Sequence, residues 1–254
     1  EAELANLLAL AAREGVHAEV RGGGTASSAV PDGAVAVSTQ ALNHLTEHDH
    51  TNLTVAVGAG MKLTELRSIV AAEAQMVPLF AAEPEEATVG GVVAAHDQGP
   101  RGLGYWRCRD LVTGITVALS TGEVVTFGGK CVKDVAGYDL KKLFIGSRAA
   151  FGVITELTLR TLPLPEDQHT LVFVSDDPAA VARAAVSILA TPLRVTAIEA
   201  AGGATLSELC QSPELVDLGS HAWALAMETS GMREAVEETA RRVEGITVDA
   251  GLSQ

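Results

Sequence analysis

The sequence predicts an α+β chain in two parts, and three observations carry that reading. Helix-period and strand-period stretches interchange over residues 1–163. Pro163 and Pro165 then punctuate the chain, and residues 166–254 carry a β-α-β-β-α-β succession. The composition is that of a soluble globular protein: 254 residues, 47% hydrophobic and 20% charged. A chain this long buries roughly 70–75% of its unfolded surface, which argues against disorder. Lys and Arg number 18 against 32 Asp and Glu, a net charge of −14. With an isoelectric point near 4.9, nucleic-acid backbones and anionic membrane surfaces are repelled. The mean hydropathy of +0.24 comes from dispersed Ala and Val. No apolar run approaches the ~18 residues that span a bilayer, so no transmembrane segment is expected. Cys108, Cys131 and Cys210 are widely separated and offer neither a disulfide framework nor CxxC spacing, which fits a reducing cytosol.

Leu4, Leu7, Leu8 and Ala11 recur at helical spacing and Gly15 stops the run, so residues 2–14 are expected to be a helix. A strand at 16–20 leads into Arg21-Gly22-Gly23-Gly24-Thr25-Ala26-Ser27-Ser28, where neither helix nor strand can continue. Apolar β-branched runs predict strands at 34–38 and 53–57, and 64–74 reads as a helix with Leu66, Ile69 and Val70 on one face. After a proline- and acid-rich loop, Thr88 caps a short helix over Val89, Gly90, Gly91 and onward to Ala95. Strands at 115–119 and 124–127 flank a hairpin. Residues 139–145 form a helix with Asp139 as its N-cap, stopped by Gly146, and 153–159 alternate as a half-buried strand. Beyond the prolines, a strand at 171–174 precedes a helix opened by Asp177-Pro178, with Val181, Ala184, Ile188 and Leu189 inward. Strands at 194–200 and 223–227, a helix at 233–244 stopped by Gly245 and a strand at 246–249 follow, an order resembling a ferredoxin-like half-unit.

Two glycine sites carry the chemical signal. Three glycines directly after a strand let backbone N–H groups approach a diphosphate, with Thr25 and Ser27 as extra donors and Arg21 as a charge partner. A plain surface turn is the bland alternative. No GxxxxGK[ST] or strand-GxGxxG-helix pattern occurs, so P-loop and Rossmann sites fit poorly. At Thr88-Val89-Gly90-Gly91 a helix start offers N–H groups and a positive dipole end to an anion, or else is simply buried.

The series RGGGT, then TVGG, then KDVAGYDLKKLFIGS with GVITE resembles the FAD-binding module of the vanillyl-alcohol oxidase/p-cresol methylhydroxylase superfamily. Its third stretch is most similar to the FAD-containing subunits of bacterial glycolate oxidase. Gly99-Pro100-Arg101 matches the smaller, E-type branch of that subunit family. The resemblance implies an FAD-binding domain over 1–163, in subdomains of about 1–60 and 61–163 with FAD between them. It implies a ferredoxin-like cap domain over 166–254, incomplete as given. Relatives open with a strand and a proline before the first helix, which implies that an N-terminal piece is absent here.

By the same resemblance, Arg21, Gly22, Gly23, Gly24, Thr25, Ala26 and Ser27 hold the pyrophosphate. Thr88, Val89, Gly90 and Gly91, with Ala95 on the same helix, face it. Gly152, Val153 and Ile154 lie along the adenine or isoalloxazine system. Thr25 stands where covalent relatives carry a histidine, so the FAD is expected to be non-covalent. The implied reaction is two-electron oxidation of a 2-hydroxy acid such as glycolate. The histidine-rich C-terminal segment with which relatives bind that acid has no counterpart, so no catalytic base is named and the chain reads as an accessory, electron-relaying subunit. The implied partners are a catalytic FAD-containing glycolate oxidase subunit and an iron–sulfur subunit, in the cytoplasm or peripheral to the inner membrane through them. A flavin-free scaffold subunit and a stand-alone FAD oxidoreductase on another small alcohol or acid are the alternatives.

Two departures from the family pattern stand out. Glu83, Glu85 and Glu86 form an acidic cluster just before TVGG, read as a solvated rim, and Ser147-Arg148-Ala149-Ala150-Phe151 replaces SxGT(L/F)G, losing a glycine and a hydroxyl. His44, His48 and His50 fall in a segment read as an exposed polar loop rather than a metal site. Tyr105 and Trp106 either line the flavin pocket or pack, and Tyr138 reads as structural.

Overall fold

The computed structural model describes residues 1–26, 29–96, 99–130, 138–202, 205 and 223–253. Ser27, Cys131, Cys210 and the 133–137 part of the KDVAGYD stretch lie outside them. The fold is α+β, in two compact units. Unit 1 comprises Glu1–Gly99 and Trp106–Leu164, and unit 2 comprises Pro100–Tyr105 and Pro165–Gln254.

In unit 1, α1 (Ala2–Arg13) buries Ala5 and Leu8 against Ala118 and Val153, while Leu7 is exposed. Strand β1 (Ala18–Arg21) pairs in parallel with β2 (Val35–Ser38), placing Arg21 opposite Ser38 at the mouth of the glycine loop. Strands β3 (Leu45–Asp49) and β4 (Thr54–Gly58) begin a five-stranded antiparallel sheet. Its order is β3-β4-β8-β6-β7, completed by β6 (Val112–Ala118), β7 (Val124–Gly128) and β8 (Val153–Arg160). The histidine-rich segment expected as a loop is therefore the edge strand β3. Its charged and polar side chains suit an edge, where one row of backbone groups faces water, so propensity alone conceals it. Helix α2 (Leu63–Ala71) lays Leu63, Leu66 and Val70 on the core formed with Val57, Leu111, Ile115 and Leu157.

A two-residue pair, β5 (Gln75–Met76) with β9 (Leu162–Pro163), closes the sheet's end, and α3 (Val89–Ala95) and the single-turn α4 (Cys108–Leu111) cover it. Buried Gln75 accepts from Thr161 Oγ1 at 2.7 Å, donates to His50 O at 2.8 Å and meets His48 Nε2 at 3.1 Å. Those partners satisfy a buried amide that would otherwise be costly. Helix α5 is only Lys141–Phe144, capped by Leu140 rather than Asp139. The Asp139 carboxylate instead pairs with Lys141 and Lys142 at 2.9 and 3.1 Å. Burial opposes its charge, but those lysines outweigh it and hold the carboxyl below its ordinary value. Tyr138, expected to be structural, is 94% exposed.

Unit 2 is built from β10 (Asp167–Ser175), α6 (Pro178–Leu189), β11 (Ala197–Gly202), β12 (Trp223–Gly231) and α7 (Arg233–Asp249). The antiparallel order β10-β12-β11 inserts the third strand between the first two. Phe173, Ala184, Ile188, Leu225, Met227 and Val243 form its core. The strand expected at 246–249 is the end of α7. Val236, Ala240, Val243 and Thr247 make one buried helical stripe, and Thr247 Oγ1 donates back to Val243 O at 3.0 Å. That face outweighs the β propensity of the Ile-Thr-Val run and carries the helix through Gly245. Leu189, expected inward, is 52% exposed. The peptide Pro100–Tyr105 joins unit 2 through a network around Glu228. Arg101 Nη2 donates to its carboxylate at 2.7 Å, Gln168 Nε2 at 2.8 Å and Thr196 Oγ1 at 2.9 Å, while Gly104 N donates to Thr196 O at 3.0 Å.

Candidate functional site

Within unit 1, a cleft of about 290 Å³ gathers four pieces of chain. They are the end of β1 with the glycine loop (Glu19 to Ala26), the α3 segment (Thr88, Gly90, Gly91, Ala94, Ala95), the turn at Arg148 and Ala149, and the start of β8 (Gly152, Val153, Ile154). The sequence-predicted residues Arg21, Gly22, Gly23, Gly24, Thr25, Ala26, Thr88, Gly90, Gly91, Ala95, Gly152, Val153 and Ile154 thus come together. Val89 does not line the cleft. As the first residue of α3 it is fully buried among the core side chains, because the helix turns that position toward the sheet.

The three loop glycines do different jobs. A Cβ on Gly22 would overlap Thr88 Oγ1, and one on Gly23 would overlap the Glu86 carbonyl, so both let the loop press onto the facing segment. Gly24 alone needs a left-handed backbone, φ +86°, with open space around it on the cleft side. Gly90 likewise permits close packing, since its Cβ would lie 2.5 Å from that of Ala59.

The start of α3 is not an open anion site. Thr88 caps it as expected, its Oγ1 accepting from Gly91 N at 3.3 Å. Val89 N donates to Met61 O at 2.9 Å and Gly90 N to Ala59 O at 2.8 Å. The N–H groups that the sequence offered to a phosphate are therefore taken by the protein's own oxygens. Two basic residues, Arg21 and Arg148, and one acidic residue, Glu19, line the cleft, and the Glu19 carboxylate lies 3.4 Å from His17 Nε2. Glu83, Glu85 and Glu86 are exposed and outside the cleft, and Lys62 Nζ sits 3.1 Å from the Glu86 carboxylate.

Arg148 and Ala149 have φ of +50° and +64°, and Ala150 N donates to Ser147 O at 3.0 Å. This is the turn pattern normally made by Asn-Gly. Non-glycine residues in that region cost on the order of 1–3 kcal/mol each. Arg148 N is anchored on Ala94 O at 3.0 Å and its Nη1 donates to Ala26 O at 3.1 Å, joining the turn to both α3 and the glycine loop. Sequence reasoning missed Glu19, Ala94, Arg148 and Ala149. Strand alternation puts Glu19 on the same face as Arg21, and the replaced motif at 147–151 was read for what it lost rather than for the charge it gained.

A diphosphate fits the chemistry of this arrangement: a glycine leaves backbone open at the cleft, and the two arginines that line it offset a doubly charged group. Tyr105 and Trp106 are not among the cleft's lining residues. In unit 2 Tyr105 Oη lies 2.5 Å from Ser230 Oγ, and in unit 1 Trp106 stacks with Arg160 at 4.3 Å. Burial pushes the Cys108 thiol up to about 12, which leaves it protonated and inert. Among the described residues, no group of three or more His, Cys, Asp and Glu side chains could hold a metal. None of the described helices is long and apolar enough to cross a membrane.

Comparison with known proteins places these features in a family. The model of an FAD binding domain matches residues 1–128, half of the chain. The glycolate oxidase subunit GlcD of Bacillus subtilis is 29% identical over 247 residues, 96% of this chain and 53% of that protein. The glycolate oxidase subunit GlcE of Escherichia coli K12 is 37% identical over 131 residues, 50% of this chain and 37% of that one. A D-lactate dehydrogenase of Archaeoglobus fulgidus is 33% identical over 172 residues, 66% and 38% respectively. This chain therefore spans about half, or less, of the length of these relatives. A solved structure of alkyldihydroxyacetonephosphate synthase superposes with a TM-score of 0.80 at 19% identity, covering 98% of this chain and 49% of that one, which shows a shared fold. On the family match and the cleft together, the chain belongs to the FAD binding domain family.

Proposed function

We propose that the cleft holds FAD non-covalently and that the chain is the FAD-binding subunit of a glycolate or related 2-hydroxy acid oxidoreductase. One observation carries the reading: the glycine loop, the α3 segment and the start of β8 converge on a single cleft with two guanidiniums. Arg21, the glycine loop and Thr25 would hold the diphosphate, and Gly152, Val153 and Ile154 would lie along the ring systems. Thr25 at the loop offers a hydroxyl and no imidazole for a covalent link. Bound FAD supplies a two-electron acceptor for hydride, and the chain's residues bind it, orient it and set its electrostatic surroundings. The glycolate oxidase and D-lactate dehydrogenase relatives support the 2-hydroxy acid class. The glycolate oxidase subunit names support membership of a multi-subunit complex, and we take its other members to be a catalytic FAD-containing subunit and an iron–sulfur subunit.

We read residues 1–163 as the FAD-binding domain and 166–254 as a ferredoxin-like cap. The split β-α-β order supports the latter, as does Ser253, which exchanges backbone hydrogen bonds with Val174 at 2.6 and 3.0 Å on the outer edge of β10. The test is anaerobic mixing of the FAD-loaded full chain, alone and with co-purified partners, with glycolate, D-lactate and a simple primary alcohol. Bleaching of the flavin by a 2-hydroxy acid only when partners are present is the expected result. Bleaching by the chain alone would assign it a complete active site, and no bleaching by any 2-hydroxy acid in the complex would reject the substrate class.

A further inference from the structure

We infer that Arg148 is a diphosphate-recognition residue, held over the glycine loop by a strained turn, that makes the cleft select flavins and nucleotides carrying a diphosphate. The inference rests on the FAD reading above and deepens it. Arg148 is exposed and its turn asks for glycine, yet it keeps a left-handed backbone, as does Ala149 after it. No packing of the Arg148 side chain into a core explains that. Strain kept at an exposed site points to the job its side chain does. The turn throws the guanidinium across the cleft to Ala26 O, 3.1 Å away and 122 residues distant in sequence. A guanidinium carries five donors in a planar fork that matches phosphate oxygens two at a time. The Ala26 bond uses one of them to set the fork above the loop before a ligand arrives.

The charge distribution makes such a residue necessary. The chain carries a net charge of −14, and Glu19 faces the same cleft, so a doubly charged ligand meets repulsion that Arg21 alone offsets only in part. Arg148 supplies the second compensating charge from the opposite wall. A flavin without phosphate gains nothing from it.

The experiment uses the full chain and three probes, FAD, ADP and riboflavin, titrated by calorimetry against wild type, Arg148→Met, Arg148→Lys and Arg148→Gly, with thermal unfolding recorded for each. Arg148→Met is expected to weaken FAD and ADP about tenfold, leave riboflavin unchanged and flatten the salt dependence of FAD affinity. Arg148→Lys should recover part of the loss, since it keeps the charge without the fork. Arg148→Gly should bind FAD as weakly as Arg148→Met while unfolding at a higher temperature than wild type, because glycine relieves the turn. FAD and ADP bound equally by wild type and Arg148→Met would overturn the inference and leave the FAD reading standing. An equal loss for riboflavin would also overturn it, and wild type that binds neither FAD nor ADP would overturn both.

Discussion

Gly22 and Thr88 lie against each other so closely that a Cβ on the glycine would overlap the threonine Oγ1. The same Oγ1 caps α3 by accepting from Gly91 N. Two segments 66 residues apart in the sequence are thereby locked together, and the cleft between them is formed by the protein's own packing. Its floor is rigid where Gly22 and Gly23 press on residues 86–88 and open at Gly24.

That arrangement separates the three glycines experimentally. Gly23→Ala forces a backbone carbonyl aside and should cost about 1–3 kcal/mol of stability, as overpacking does, together with the loss of most FAD affinity. Gly24→Ala meets open space and pays only for its positive φ, about 1–2 kcal/mol. Urea unfolding and FAD titration of the two variants measure the contrast. Equal effects at both positions would contradict it.

The network around Glu228 predicts a different weakness. Arg101→Met removes the guanidinium from Glu228, a residue that is 8% exposed, and among the described residues leaves its carboxylate with Thr196 and Gln168. A loss of about 1–3 kcal/mol is expected, the range for a buried polar group that loses a partner. Glu228→Gln should fall in the same range. Hydrogen exchange at residues 101–105 reports it locally: their amides should lose protection in either variant.

Asp177 caps α6 by accepting from Ala179 N at 2.9 Å, and that backbone bond is the chief reason its carboxyl is held below its ordinary value. A group whose folded pKa is depressed stabilises above its unfolded pKa and loses the contribution as pH falls through the folded one. Asp177→Asn keeps the cap without the titration. Wild type should therefore lose its advantage over Asp177→Asn on acidification below about pH 4, the region of an unfolded aspartate. Denaturation midpoints across pH 2–6, roughly the carboxylate range, check it.

Cys108 is 3% exposed with its thiol pushed up to about 12, so at pH 8 it is a neutral, covered group. In a variant that retains only this cysteine, iodoacetamide labelling should follow unfolding and be negligible in the folded chain. Rapid labelling without denaturant would contradict the packing of α4 against the sheet.

Much of this was legible in the sequence, for reasons that also explain the misses. Thr88 announces α3 because a threonine before a short apolar run can satisfy an orphan N–H, and it does. Pro178 and Asp177 mark α6 by the same local chemistry. The helix through Gly245 was not legible, because the buried stripe from Val236 to Thr247 is a tertiary fact that overrides a β-branched tripeptide. The edge strand β3 hid behind charge. At the cleft, the residues named from the sequence other than Val89 and Ser27 line one cavity, but their physics differs from that reading: the glycines fit the chain's own lobes and the α3 amides are spent internally. The second cation came from Arg148, 122 residues beyond the loop it touches.

The central claim is that this cleft holds FAD without a covalent bond, and the visible absorption spectrum of the protein purified from cells, followed by acid precipitation, tests it most directly. The account predicts flavin bands and a yellow chromophore that leaves with the supernatant. A chromophore that stays in the pellet would contradict non-covalent binding. A colourless protein that also takes up no added FAD would contradict the cofactor assignment itself.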